Sequence, residues 1–289
     1  MNLNGAQHLH MNFIFPLLMR RVTGLTHRIY GKFGKFTDHG DFISTLSLLF
    51  PRKYTGECIR LGGSGDGAYV VPNDFVGVDA SISPGVSREF EFDLELGKLG
   101  VCSYMYDASV ECPQGLGERQ QFFPMFIDSF ESDTTTTLDA IVANVRCSHS
   151  GDLMLQMDIE GAEYRCLSSV SEDVLKQFRI IVIEFHDVDV YMSNNLYVRN
   201  WIRPIFQKLR KHHDVVHVHA NNWSRVTDCH GIGVPSLLEV TYLRKDRWLD
   251  DGEVKTSCRE LDVLSNPDLP AITLSSPWFD KIDASSHSA

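Results

Sequence analysis

The stretch Gly151-Asp152-Leu153-Met154-Leu155-Gln156-Met157-Asp158-Ile159-Glu160-Gly161-Ala162-Glu163-Tyr164-Arg165-Cys166-Leu167 decides how this chain is read. An apolar run ends in an acid, a glycine follows, and apolar residues then recur at helical spacing. The pattern predicts a buried strand that delivers Asp158 and Glu160 to its carboxyl end. In an open α/β sheet, that end is where ligands bind. The plainer alternative is a strand-to-helix turn whose solvated acids are favoured by the helix dipole. Residue types alone leave both open.

Outward from this stretch the chain alternates between strand and helix signals. Val78 to Ser83 predicts a first strand, followed by Pro84-Gly85-Val86. Ser87 is the expected N-cap of a helix with Glu89 and Glu91 in its first turns, an apolar face of Phe90, Leu94, Leu96 and Leu99, and Gly100 as its close. Val101 to Tyr106 predicts a second strand, and it ends in Asp107, placed to accept hydrogen bonds from a ribose diol. Asp107 follows Gly85 by about 20 residues, the interval of a βαβ unit.

Gln121 to Ile127 predicts a third strand, Thr137 to Val145 a helix, and Ala162 to Gln177 the helix after the opening stretch. Phe178 to His186 reads as a fifth strand, apolar on both faces as a central parallel strand should be. Asn195 to Lys211 is expected to be helical, with Trp201, Ile202, Ile205 and Leu209 on one face. Asp214 to Ala220 and Ser236 to Leu243 complete seven strands. The last two are joined by about 15 residues without helical period, which predicts an antiparallel closing pair in place of a crossover helix. The expected fold is therefore α/β: a Rossmann-like class I methyltransferase fold, with a seven-stranded mixed sheet and helices on both faces.

Gly63-Ser64-Gly65-Asp66-Gly67-Ala68 fits the dinucleotide fingerprint as a string, but Tyr69-Val70-Val71-Pro72 follows where a helix should open. Cys58 to Leu61 and Tyr69 to Val71 therefore predict a hairpin, with the glycines in its turn.

Composition sets outer limits. With 289 residues, 43% hydrophobic and 22% charged, the chain can bury a large core. A net charge of -11 argues against nucleic acid as a partner, since backbone binding is driven by Lys and Arg. The seven cysteines form no CxxC pair and are odd in number, which points to free thiols and a cytoplasmic setting. No apolar run reaches the ~20 residues that span a bilayer. Phe13 to Met19 is short, and Arg20 and Arg21 follow it, the wrong polarity for a signal peptide. The expected organisation is an accessory helical segment over 1–50, helical around Phe42 to Phe50, a catalytic domain over 51–245, and a C-terminal extension over 246–289. The extension carries an aromatic anchor at Trp278 and Phe279 and an end, Asp283 to Ala289, expected to lack order.

The strand ends also suggest chemistry. Asp158, Glu160, Glu184, His186 and His219 fall at the carboxyl ends of strands four to six. Glu184 and His186 are two apart and so expected on one face. With Asp158 they would offer oxygen and nitrogen ligands suited to Mg2+ or Mn2+. The competing role for His186 is that of a metal-free general base. Asn221 and Asn222 carry amides of the kind that read sugar hydroxyls, although such residues also simply form turns.

Asp158-Ile159-Glu160-Gly161-Ala162-Glu163, preceded by Thr137-Leu138-Asp139, resembles the core signature of the FkbM family of S-adenosylmethionine-dependent methyltransferases. Further pieces resemble the same family in order: Gly65-Asp66-Gly67-Ala68-Tyr69-Val70, Ser83-Pro84-Gly85-Val86 with Phe90-Glu91, Ile183-Glu184-Phe185-His186, His219-Ala220-Asn221-Asn222, and Pro235 with Leu238-Glu239-Val240-Thr241-Tyr242. Ala68 stands where the family usually has glycine, and only Gly85 remains of the usual glycine run. The resemblance implies O-methylation of a small-molecule or glycan acceptor, often at a sugar hydroxyl. It implies S-adenosylmethionine held by Asp66, Gly67, Ser83, Gly85, Val86, Asp107 and Ala108. Asp158, His186 and Glu160 would be catalytic, with a divalent ion on Asp158, Glu184 and His186 as an optional aid, and His219, Asn221 and Asn222 would meet the acceptor. A metal-dependent hydrolase using Asp158, Glu184 and His186, or a non-catalytic binding subunit of the same fold, are the competing functions.

Overall fold

A computed structural model describes residues 35–86, 89–249 and 258–279. Phe13 to Met19, Ser87 and Asp283 to Ala289 lie outside the described residues. The first helix among the described residues, α1 (His39–Leu46), is capped by the Asp38 carboxylate on the Asp41 N–H and continues as one tight turn to Leu49. It packs beside the later helices, where Arg203 donates to the Asp41 carboxylate at 2.7 Å and Arg199 also pairs with it.

β1 (Cys58–Leu61) and β2 (Tyr69–Pro72) pair antiparallel. The glycine turn therefore closes a hairpin and opens no nucleotide-binding helix, as its proline-ended sequel predicts. The main sheet begins with β3 (Val78–Pro84), crosses through α2 (Glu91–Lys98) to β4 (Cys102–Tyr106), and reaches β5 (Gln120–Phe123). The expected third strand is cut after Phe123, because Pro124 has no N–H to give to a ladder. β6 (Phe126–Ile127) pairs instead with β7 (Thr135–Thr136) in a separate ribbon. α3 (Leu138–Val145) starts on Thr137, whose hydroxyl accepts from the Ala140 N–H.

The opening stretch forms β8 (Asp152–Met157) and α4 (Glu163–Ser169). The single helix expected up to Gln177 is broken at Val170, where Ser171 caps a new turn, α5 (Glu172–Leu175). β9 (Phe178–Phe185) is buried throughout. Its Ile181, Ile183 and Phe185 join one core, while Ile180 and Val182 join the core on the opposite face, which is the period-two alternation of a strand covered on both sides. After β9 come α6 (Val188–Ser193), α7 (Asn195–Tyr197) and α8 (Arg203–His212), with a wide π turn over Val198–Ile202. Pro204 accounts for that turn: it removes one donor from the ladder, and the Arg203 N–H reaches back five residues to Val198 O.

β10 (His213–Ala220) leads through the small hairpin β11 (Val226–Cys229) and β12 (Ile232–Pro235) to β13 (Leu238–Arg244). The seven-stranded order is β10-β13-β9-β8-β3-β4-β5, with β13 antiparallel to both neighbours and the remaining pairs parallel. The closing antiparallel pair is the one foreseen; its connecting loop carries a hairpin that periodicity did not signal. The chain starts in the middle, at β3, and changes direction between β3 and β8. A crevice at that switch point is the expected ligand site of such a sheet.

Two expectations are corrected. α2 begins at Glu91 with Phe90 at the cap position, and it buries Phe92, Asp93 and Leu96, while Leu99 is exposed. The late start rotates the buried stripe, and Asp93 can join it because the Ser83 hydroxyl donates to its carboxylate at 2.7 Å. The reading of all cysteines as free thiols also fails. Cys58 and Cys258 form a disulfide, which tethers the C-terminal segment to β1 and fits an oxidising setting better than a reducing one. Among the described residues no helix is long and apolar enough to cross a membrane.

Candidate active site

Two loops meet at the switch point. Gly85, just after β3, has φ +86, and a Cβ there would lie 1.5 Å from the Asp158 carbonyl oxygen. The glycine is thus required by the close approach of the loop after β8. The Asp158 N–H in turn donates to Pro84 O at 3.1 Å, and the Gly85 N–H to Tyr106 O at 2.9 Å. Three neighbouring strands are locked at their carboxyl ends by these bonds.

On the β3 and β4 side the acids are hydrogen-bonded within the protein. Ser83 is buried, with its hydroxyl on Asp93. Asp107 is buried at the end of β4, and its Oδ1 accepts from the Ser109 N–H at 2.7 Å and hydroxyl at 2.6 Å. Val86 is buried and Ala108 half-buried beside them. Gly67, at φ +73 in the hairpin turn, faces Glu89.

The β8 and β9 side is different. After Met157 the chain turns through Glu160 (φ 55) and Gly161 (φ 99), two left-handed residues in succession. Glu163 is fully buried and holds this turn from within: its Oε1 accepts from the Ile159 N–H at 3.1 Å and the Gly161 N–H at 3.0 Å. The same oxygen lies 3.0 Å from His186 Nδ1, which assigns the proton of a neutral ring to Nδ1. His186 Nε2 then faces Asp158 Oδ1 at 3.8 Å and Glu160 Oε2 at 3.7 Å. Behind the ring, the Tyr164 hydroxyl donates to His186 O at 2.9 Å, and Tyr69 OH donates to Asp158 Oδ2 at 3.3 Å.

Charges of one sign crowd here. Burial, with Glu163, Glu160 and Asp66 adding, raises Asp158 to about 7. Burial alone would lower His186, but the adjoining Glu163 carboxylate, with Asp158 and Glu184, lifts it well above its usual range. Burial and the nearby acids also push the Tyr69 hydroxyl far up, so it remains a donor. One donor atom from each of Asp158, Glu163 and His186 lies within 4.8 Å of the others, the arrangement a divalent ion would need. Glu163 takes the place expected of Glu184. The alternation that would put Glu184 and His186 on one face ends with β9 at Phe185, and the Glu184 carboxylate turns to Asn221.

Asn221 Nδ2 donates to Glu184 Oε1 and to Asp66 Oδ1, both at 3.1 Å. Asn222 is instead used by the C-terminal segment: its Nδ2 donates to Asn266 O and Leu269 O, and its Oδ1 accepts from the Asn266 N–H. His219 pairs with Asp262 of that segment at 3.4 Å and lines a cavity of about 210 Å³ with Arg259, Ile272 and Phe279.

Sequence reasoning did not assign roles to Glu163, Tyr69, Asp93 or Glu239. Glu163 left a signal as the third acid of the quoted signature, five residues after Asp158, and Tyr69 and Glu239 also fall within quoted stretches. A comparison with curated proteins finds no match to this chain. Residues 113–215, the span that carries Asp158, Glu160, Glu163, Glu184 and His186, match the methyltransferase FkbM domain, and with the mixed sheet described above this marks the chain as a methyltransferase of Rossmann-like fold.

Proposed function

We propose that this methyltransferase transfers a methyl group from S-adenosylmethionine to a hydroxyl oxygen of a sugar, with His186 as the general base and Glu163 as the residue that positions it. The observation that carries the reading is the Glu163–His186 contact at 3.0 Å, which leaves Nε2 facing Asp158 and Glu160. An alcohol proton has a pKa far above 7, so the attacking oxygen needs a base in reach as the new bond forms. Bound S-adenosylmethionine supplies an electrophilic methyl on sulfur. Nε2 would take the hydroxyl proton as the oxygen gains the methyl and the sulfur–methyl bond breaks, leaving S-adenosylhomocysteine, and Glu163 would stabilise the imidazolium through the Nδ1 proton. Tyr69 keeps Asp158 oriented beside the ring.

The cofactor half fits the group required. Asp107 is a buried carboxylate at the end of the second parallel strand, where a ribose diol would be held, and Ser109 fixes its orientation. Gly85, Val86, Ala108, Asp66 and Gly67 surround the same crevice mouth in this reading.

A second reading has one observation in its favour. The Glu163 Oε2 is buried without a hydrogen-bond partner, and Asp158, Glu163 and His186 would present two carboxylates and an imidazole to Mg2+ or Mn2+. Such an ion would lower the pKa of the acceptor hydroxyl and leave His186 as a ligand.

Calorimetric titration with S-adenosylhomocysteine, with and without magnesium, tests the reading together with His186→Ala. Binding without metal, unchanged by His186→Ala while methyl transfer falls about 10²–10⁴-fold, is expected for a base. No heat in either condition would refute it, and turnover that appears only with magnesium would favour the second reading.

A further inference from the structure

Trp223 is placed as no folding requirement explains. It is 57% exposed, whereas Trp278 is buried, Trp201 packs against Tyr164 and Tyr191, and Trp248 against Tyr54. No ring among the described residues packs on Trp223. Its loop is nevertheless fixed. Asn221 Oδ1 accepts the Trp223 N–H at 3.0 Å, the Ser224 N–H donates to Asn221 O at 3.1 Å, and the Ser224 hydroxyl donates to Leu237 O and accepts from Leu237 N–H. A large aromatic surface held in water by an ordered loop forgoes the burial that indoles normally gain.

The residue that fixes this loop also joins two acids, one on the β1–β2 hairpin turn and one near the carboxyl end of β9. Asn221 bridges Asp66 and Glu184, and beyond Glu184 lies Glu239, directly opposite it in the β9–β13 register. Glu239 is also opposite His219 on β10, so the three share one face of the sheet. It is only 7% exposed and has no hydrogen-bond partner among the described residues. The carboxylate oxygens are not sealed from solvent, so a water or a ligand hydroxyl can complete them.

We propose that Trp223, with Asp66, Asn221, Glu184 and Glu239, forms a subsite for one pyranose ring of the acceptor. The ring's C–H face would lie on the indole, and hydroxyls on its edge would donate to Asp66 and Glu239. The loop that exposes the indole is bonded through Asn221 to Asp66, and an exposed aromatic face two residues along the chain from Asn221 matches a molecule that is apolar on one face and rich in donors at its rim. A cation would also suit acids and an indole face; Arg60 and His219 bring positive charge to Glu239 while Asp262 and Asp66 bring negative charge, so displacement by a cation is an outcome of the test. The inference rests on the glycan reading above and deepens it by naming the residues that would select the acceptor.

Saturation-transfer NMR with methyl β-glucopyranoside, methyl β-galactopyranoside and methyl α-mannopyranoside, in the presence of S-adenosylhomocysteine, tests it. The wild type is expected to saturate the ring C–H protons of at least one glycoside. Trp223→Ala should weaken that contact about tenfold, and Trp223→Phe should keep part of it. Unchanged contact in Trp223→Ala, contact with none of the three glycosides, or displacement of a bound glycoside by tetramethylammonium would each overturn the subsite. Calorimetry with S-adenosylhomocysteine on the same samples reports separately on the methyltransferase reading, because Trp223 lies outside the cofactor half.

Discussion

The two halves of the sheet's carboxyl edge are built from the same parts and behave differently. On the β3–β4 half, Ser83, Asp93, Asp107 and Ser109 close hydrogen bonds on one another. On the β8–β9 half, Asp158, Glu160 and Glu163 converge on one imidazole, and burial raises Asp158 to about 7. Closed bonding yields a rigid acceptor for a ligand; competing like charges yield groups whose protons can move near neutral pH. The first half is arranged to hold, the second to react.

The comparison can be broken most severely at the junction. Gly85→Ala puts a methyl group into the Asp158 carbonyl and forces a side chain to φ +86. The loops on both sides must move apart, so we expect destabilisation of about 3 kcal/mol or more and loss of turnover. A denaturant midpoint close to that of the wild type would show that the two halves are not coupled there.

A smaller change should sharpen the contrast. Glu163→Gln keeps the shape but removes the charge that lifts His186. In the wild type the imidazole must lose its proton to act as a base, so kcat/KM is expected to rise with pH along a limb above 6.5. Removing the carboxylate lowers that pKa, which should shift the limb to lower pH and cut the maximal rate about tenfold to a hundredfold. The stability linkage has the opposite sense to the rate. A His186 raised on folding stabilises the protein fully below its unfolded pKa of about 6.5 and loses that contribution as pH rises through the folded value. Thermal melts across pH 6 to 9 would detect the loss, which should shrink in Glu163→Gln.

The mildest effect on turnover is expected far from both halves. Cys58→Ser frees the C-terminal segment from β1, across a sequence separation of 200 residues. We expect stability to fall by about 2–4 kcal/mol, while the affinity for S-adenosylhomocysteine changes less than twofold. A large loss of cofactor affinity would mean that the C-terminal segment shapes the cofactor half directly.

Much of the scaffold was legible in the chain. Continuous apolar runs such as Phe178 to Phe185, and the acids closing β4 and β8, follow from local pattern, because a strand buried on both faces leaves few sequence options. The broken segments were less legible. Pro124 and Pro204 signal interruption, yet whether a proline ends a strand or widens a helix depends on what packs around it. The register of α2 was misread because a buried Asp93 looks polar until Ser83 is seen beside it.

The sequence by itself determined the order of strands and helices and which loops bear acids, since both depend on residues near one another in the chain. Only the tertiary structure decided that Glu163 and not Glu184 meets His186, that Asn222 serves the C-terminal segment while Asn221 serves the crevice, and that Cys58 finds Cys258. Those pairings join side chains at the ends of different strands. A displacement of a few ångströms there, which no local pattern encodes, changes which charge sits beside which proton.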